Sequence, residues 1–408
     1  MIRLGYLVPE FPGQTHTFFW RELNSLAEMG VECDIVSTRP PAKKLMSQHA
    51  WSDEATARTT YLAPPTVLGM LDGLGAIIMC GPAGWWRVMR GVAKSKVGGL
   101  KSKARLVGLA VAGGRLAAIA RRRQWKHLQV HSCADSAHVA LFAHLVSGMP
   151  YSLMLHGPLE DYGPNQAMKW GNAAFGIVVN HKLLAELRAA LGAAAPVEID
   201  VATMGVNVSI FHRSAPYRPW DGGGPFRIFS CGRLNPCKGH GDLIQAVSLL
   251  RDKGVDAHLE IAGADDSPGH SQPMLEKLEK QIDVLNLKDR VVLLGTVSEQ
   301  VVLEGLEKSH VFALASLNEP RSVAIMEAMA MGTPVVATRS GGTAETVDDG
   351  VDGILVEPLN PTDVAKGLEL VARDGNLATR LASAGREKIV RSYQSDQNAR
   401  NILRHLEN

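Results

Sequence analysis

The chain has 408 residues, with 43 Lys and Arg against 41 Asp and Glu for a formal charge of +2, and 46% of its residues are hydrophobic against 21% charged. This balance excludes a disordered chain and a nucleic-acid binder acting through its overall charge; the length predicts two domains of roughly 150 to 200 residues, each with a sizeable core. The five cysteines, Cys33, Cys80, Cys133, Cys231 and Cys237, form no C-x-x-C pair that would suggest zinc or a redox centre, which favours a reducing cytosol.

MIRLGYLVPEF goes straight into a strand-like run, without the charged, apolar and small-residue regions of a secretory signal. Residues 2–8 read as a strand, 17–29 as a helix ended by Gly30, and 31–37 as the next strand, the opening of a βαβ unit. Residues 66–126 differ: they hold twelve Lys and Arg but one acid, Asp72, interleaved with Trp85, Trp86, Met89, Val92 and Leu100. They read either as a helical subdomain with its cations in solvent or as a segment for an anionic membrane surface. Arg121, Arg122 and Arg123 alone are too short a run to argue for nucleic acid. The most apolar stretch, 106–119, carries Arg115 and several glycines, so no membrane span is expected.

Further strands are expected at 129–132, 151–155 and 175–180, with helices at 136–146 and 182–191. These complete a first domain over 1–205. The pattern lapses in SIFHRSAPYRPWDGGG, so 206–225 reads as an interdomain linker. A second domain, 226–385, alternates strands at 226–231, 258–262, 291–294, 311–315 and 334–338 with helices at 241–253, 273–285, 298–308 and 323–331. Strands and helices of these lengths imply parallel sheets covered on both faces, and two such domains an intervening ligand cleft.

No G-x-x-x-x-G-K-[ST], H-E-x-x-H or G-x-S-x-G occurs, which disfavours P-loop, zincin and serine-hydrolase chemistry, and no D-x-D is placed to bridge a metal and a diphosphate. In CGRLNPCKGH, residues 231–240, Arg233 and Lys238 straddle a turn at a strand end. Two cations there suit a diphosphate, although the same residues also describe a solvated turn. Gly13, between the first strand and helix, can bring its N–H to an anion at a helix start. His156 sits at another strand end, where a packed histidine is the plainer reading. In NEPRSVAIMEAMAMG, residues 318–332, Pro320 suits the first helical turn and keeps Glu319 off the helix that carries Glu327. Eight helical residues span about 12 Å, too far for two carboxylates sharing one scissile bond; the spacing suits one extended ligand held at two points.

Together these motifs resemble the GT4 family of retaining, metal-independent glycosyltransferases, with the α/β GT-B fold of two Rossmann-like parallel-sheet domains facing a central cleft. The resemblance rests on the E-x7-E pair Glu319 and Glu327, GRLNPCKG, FPGQTHTFFWREL and LHG, in that family's order. It implies a nucleoside-diphosphate sugar donor, a saccharide or lipid-linked acceptor, no metal and no separate cofactor. Arg233 and Lys238 would neutralise the diphosphate with the Gly13 N–H. Glu319 would hold the donor sugar, Glu327 the ribose, and His156 would contact the sugar near the reacting carbon. Arg321, Ser322 and Val323, which follow Glu319, complete the expected donor contacts. The resemblance also implies a C-terminal helix, 386–408, returning to the first domain. Glu319-Pro320-Arg321-Ser322 departs from the family's E-G-F-G or E-G-x-P, and His16 stands where related polysaccharide enzymes often have glutamate. Arg321 is therefore also weighed as a partner for an acidic donor sugar against an exposed arginine at a helix start. Two other functions stay open: a GT-B sugar-nucleotide epimerase, and a non-catalytic sugar-binding component of an assembly complex at a membrane surface.

Overall fold

The structure, a computed structural model, describes residues 2–42, 46–47, 49–265 and 273–407. The chain forms two compact units, unit 1 from Met1–Thr203 with Asp396–Asn408 and unit 2 from Met204–Ser395.

Unit 1 begins with β1 (Ile2–Glu10), α1 (Thr17–Glu28), β2 (Val31–Arg39), α2 (Ser52–Arg58) and β3 (Thr60–Tyr61). Three consecutive helices follow, α3 (Val67–Met79), α4 (Gly81–Lys94) and α5 (Gly99–Arg123). The unit continues with β4 (His127–His131), α6 (Asp135–Ser147), β5 (Tyr151–Leu155), α7 (Gln166–Trp170), β6 (Gly176–Val178), α8 (His181–Leu191) and β7 (Ile199–Val201). Its strands form one sheet in the order β3-β2-β1-β4-β5-β6-β7, parallel throughout. β4 and β5 are buried along their whole length, as expected of strands with helices on both faces. The order reverses direction between β1 and β4, so their carboxyl ends flank the unit's topological switch point.

The segment expected to be a basic helical region is the α3–α5 insert. α3 lies against α5 through glycines: a Cβ on Gly73 would sit 2.3 Å from Val111 O, and one on Gly114 2.3 Å from Gly73 O. Only backbones without side chains reach that separation.

Unit 2 runs β8 (Phe226–Cys231), α9 (His240–Asp252), β9 (Ala257–Ala262), α10 (Met274–Val284), β10 (Val291–Gly295), α11 (Glu299–Lys308), β11 (Val311–Leu314), α12 (Val323–Ala330), β12 (Val335–Thr338), β13 (Ile354–Val356), α13 (Pro361–Arg373) and α14 (Gly375–Ser392). Its parallel sheet is ordered β10-β9-β8-β11-β12-β13, so the switch point lies between β8 and β11. α15 (Asp396–Glu407) belongs to unit 1, where it packs on α1.

Three expectations need correction. The segment 206–225 is not a loose linker but part of unit 2: Phe211 is fully buried, and Arg213 donates to Glu307 O at 2.6 Å and Leu306 O at 2.8 Å at the end of α11. Its guanidinium thereby supplies donors to carbonyls that the helix terminus leaves open. The expected boundary at 385/386 falls inside α14, and the chain returns to unit 1 only at Asp396. Pro320 is outside α12, which starts at Val323, with the Ser322 side chain accepting from Ile325 N–H.

Candidate active site

In unit 2 the turn after β8 and the loop after β11 are locked together at the switch point. Leu317 N–H donates to Cys237 O at 2.7 Å. Gly239, at φ +63°, passes so close to β11 that a Cβ would lie 1.9 Å from Ala315 O. These contacts bring Lys238 Nζ to 2.5 Å from Glu319 Oε2, with both side chains largely buried, and Ser316 Oγ donates to the same oxygen at 3.1 Å. An ammonium has three donors, and Glu319 takes one of them.

The Glu319 backbone is held from the other side. Gly342 N–H donates to Glu319 O at 2.8 Å, and Gly341, at φ +57°, leaves no space for a Cβ, which would be 2.4 Å from that oxygen. Thr338 and Ser340 hydroxyls both donate to Ser316 O, at 2.5 and 2.7 Å. The loop after β12 therefore sets the position of the loop that carries Glu319.

Glu327 lies on α12. Burial, then the Glu327 charge, pushes the Cys231 thiol up to about 12, while Lys238 acts in the opposite direction. Lys238 and Glu319 thus meet at the switch point, and the Glu327 charge acts on Cys231, the last residue of β8. Arg233 is exposed in the same turn, its carbonyl accepting from His240 Nε2 at 3.2 Å. Burial lowers His240 to about 4. Ser322 and Val323 form the cap and first residue of α12, whose positive dipole end lies just after the Glu319 loop.

Arg321 is placed differently from the acidic-sugar expectation. Its side chain is 7% exposed, donates to Thr346 Oγ1 at 2.6 Å, lies 3.9 Å from a Glu345 carboxylate oxygen and sits over the Tyr393 ring at 5.6 Å. It is neither an exposed arginine nor a cation held out for a ligand; it ties the 319–322 loop to the 343–346 turn and to the residues after α14.

In unit 1, Gly13 lies after β1 as expected, but its N–H donates to His16 Nδ1 at 3.0 Å, and a Cβ there would be 2.7 Å from that nitrogen. The Gly13 amide is therefore already engaged by the His16 ring. His156 lies after β5, its Nε2 3.3 Å from His131 Nδ1 at the end of β4. Burial, then the neighbouring His131 and His16, holds His156 well below the ordinary histidine value, so it is neutral at pH 7.

Behind this pair lies a network the sequence reading missed. Buried Glu22 on α1 accepts from Tyr6 Oη at 2.7 Å and from the Asn398 amide on α15, and lies 3.0 Å from His131 Nε2. Fully buried Lys169 donates to Cys133 O at 2.7 Å and Tyr162 O at 3.3 Å, joining the loops after β4 and β5. Burial lowers its ammonium to about 8. The only sequence signal for His131 is its position at a strand end, like His156; Glu22 and Asn398 give none. Among the described residues no group of three or more His, Cys, Asp or Glu is placed to hold a metal ion.

Residues 221–388, most of unit 2, match the model of the family described as glycosyl transferases group 1. An uncharacterized glycosyltransferase of Methanocaldococcus jannaschii is 31% identical over 176 residues, 43% of each chain. A D-inositol 3-phosphate glycosyltransferase of Corynebacterium jeikeium is 34% identical over 156 residues, 38% of this chain and 37% of that one. The chain thus spans less than half the length of these curated relatives. Among solved structures, Anabaena HepE in complex with UDP and glucose aligns over 100% of both chains with a TM-score of 0.76 and 17% identity. That likeness shows the fold, two parallel-sheet α/β units of the GT-B class.

Proposed function

We propose that the chain is a retaining, metal-independent glycosyltransferase that moves a sugar from a nucleoside-diphosphate sugar to a saccharide or lipid-linked acceptor in cell-surface polysaccharide assembly. The reading places it in the cytoplasm, peripheral to an anionic membrane that presents the acceptor. The observation that carries it is the Lys238–Glu319 pair at the switch point of unit 2, within the region matched to the transferase family.

Lys238, with Arg233, neutralises the donor diphosphate and the charge that develops on it as the bond to the anomeric carbon breaks. The acceptor hydroxyl oxygen bonds to that carbon on the face the nucleotide leaves, its proton passes to a departing phosphate oxygen, and configuration is retained. Glu319 accepts hydrogen bonds from the donor sugar and Glu327 from the ribose; the Ser322 and Val323 end of α12 favours the negative phosphates. In unit 1, His156, neutral and held by His131, is the group proposed to contact the transferred sugar. Gly13 N–H joins the phosphate contacts once His16 rotates.

The test is incubation of the full chain with a panel of nucleotide sugars and acceptors, following nucleotide release with and without chelator and the anomeric configuration of the product. Chelator-resistant release and a retained anomer are expected. Chelator-sensitive release, an inverted anomer, or epimerised donor without transfer overturns the reading.

A further inference from the structure

Helix α3 is apolar on two opposite sides, and only one is covered. Gly69 and Gly73 face α5, whereas Leu68 is 78% exposed and Met79 71% exposed, and Val67, Leu71, Leu74 and Ile78 are also in solvent. α4 divides into three stripes at helical spacing. Gly84, Val88 and Gly91 are buried; Trp86 (62% exposed) and Met89 (59%) lie on the outer side beside exposed Trp85; Arg87, Arg90 and Lys94 form the third stripe. Arg115, Arg122 and Arg123 line a hollow with Leu68 and with Asp72, which pairs with Arg122 at 2.8 Å, leaving a net excess of cations at the edge of the α3 face. Large side chains of this kind scattered singly are ordinary, but consecutive turns of them on adjoining helices mark a covered surface.

We infer that the outer faces of α3 and α4 form a docking surface for an anionic lipid bilayer, lying in its interface with Trp85 and Trp86 at headgroup depth. Charge selects this occupant. Residues 66–126 carry twelve cations and one carboxylate in a chain whose total is +2, so a second copy would bring like charge against like charge. A bilayer with anionic headgroups supplies opposite charge and an apolar layer together. The thirteen residues of α3 extend about 20 Å against a hydrocarbon core of about 30 Å, and no single helix among the described residues is long and apolar enough to cross; α3 and α4 reach that length and apolarity only together, as a pair bent by 114°. The glycine contacts to α5 also hold α3 on unit 1, so it docks as part of a folded surface.

Nothing in this surface depends on the donor site, so vesicle binding and nucleotide release in solution fail separately. The experiment is flotation of the full chain with phosphatidylcholine vesicles, with and without phosphatidylglycerol, at low and high salt. Binding is expected only to the anionic vesicles and is weakened by salt. Leu71→Ser with Leu74→Ser is expected to weaken it about ten-fold or more, and Arg90→Glu with Lys94→Glu by on the order of a hundred-fold; nucleotide release without vesicles stays unchanged in both. Brominated lipid is expected to quench tryptophan emission in the wild type but not in Trp85→Phe with Trp86→Phe. Failure to float at low salt, flotation indifferent to these substitutions, or a dimer in sedimentation abolished by Leu71→Ser with Leu74→Ser would overturn the inference.

Discussion

Unit 1 and unit 2 share the strand order 3-2-1-4-5-6 and equip the same place in it differently. Unit 1 joins Tyr6 in β1 to Glu22 on α1 and His131 at the end of β4 to His156 after β5, with Glu22 3.0 Å from His131 Nε2; at the ends of β8 and β11, unit 2 sets an ammonium against a carboxylate. One arrangement is built of hydrogen-bonding groups around a buried carboxylate, the other of a cation and an anion in direct contact. A parallel sheet supplies the location of a site, and the side chains at its strand ends decide what it holds.

The comparison breaks most directly at Lys238. Lys238→Ala removes the partner of a buried carboxylate and the proposed phosphate cation, so nucleotide release is expected to fall about 10²- to 10³-fold, with the fold intact by circular dichroism. If it falls no further than for a surface lysine such as Lys366→Ala, the charge assignment of unit 2 fails.

Acid should affect both units through histidines held neutral. Burial lowers His127 in unit 1 to about 3, and His240 and His310 in unit 2 to about 4. The unfolded chain takes up these protons near pH 6.5 while the folded chain refuses them until far lower pH. Their stabilising contribution is therefore complete above about pH 6.5 and is lost as pH falls toward 4 for His240 and His310, at roughly 3 kcal/mol each, and toward 3 for His127. His240→Gln should flatten that dependence for β8 and α9 in hydrogen exchange, without changing it for β4.

In unit 1 the corresponding test is Glu22→Gln. The amide turns an acceptor into a donor facing Tyr6 or Asn398, which is expected to cost about 2 kcal/mol. The loss should appear as faster hydrogen exchange in α15, which Asn398 anchors, before it appears in unit 2. Uniform loosening of both units would contradict a network local to unit 1.

The smallest effect is expected at Arg321. Arg321→Ala removes bonds to Thr346, Glu345 and Tyr393 and should lower stability by about 1 kcal/mol while leaving donor preference unchanged. A changed preference across a panel that includes acidic sugars would restore the ligand role first considered for it.

The difference between the units also explains what the sequence disclosed. Arg233 and Lys238 share one short turn, and Glu319 and Glu327 one short segment, so their grouping is legible in contiguous residues. Glu22 and Asn398 lie 376 residues apart, and no local pattern announces that they meet. The strands of six or more residues in both units showed their apolar runs, whereas β7 and β13, of three residues each, are too short to show a period. Pro and Gly in 206–225 correctly marked irregular backbone, but such residues say nothing about whether that backbone packs, and Phe211 and Arg213 make it part of unit 2. The position of Gly13 was likewise legible, but not the His16 ring that takes its N–H.

The central claim, a metal-free diphosphate site in unit 2, is tested most directly by calorimetric titration of nucleoside diphosphates into the full chain in the presence of chelator. Saturable binding by at least one of them, weakened about ten-fold or more by Lys238→Ala and unaltered by Arg321→Ala, is the expected result. No binding of any nucleoside diphosphate in chelator, or binding as tight in Lys238→Ala as in the wild type, would contradict it.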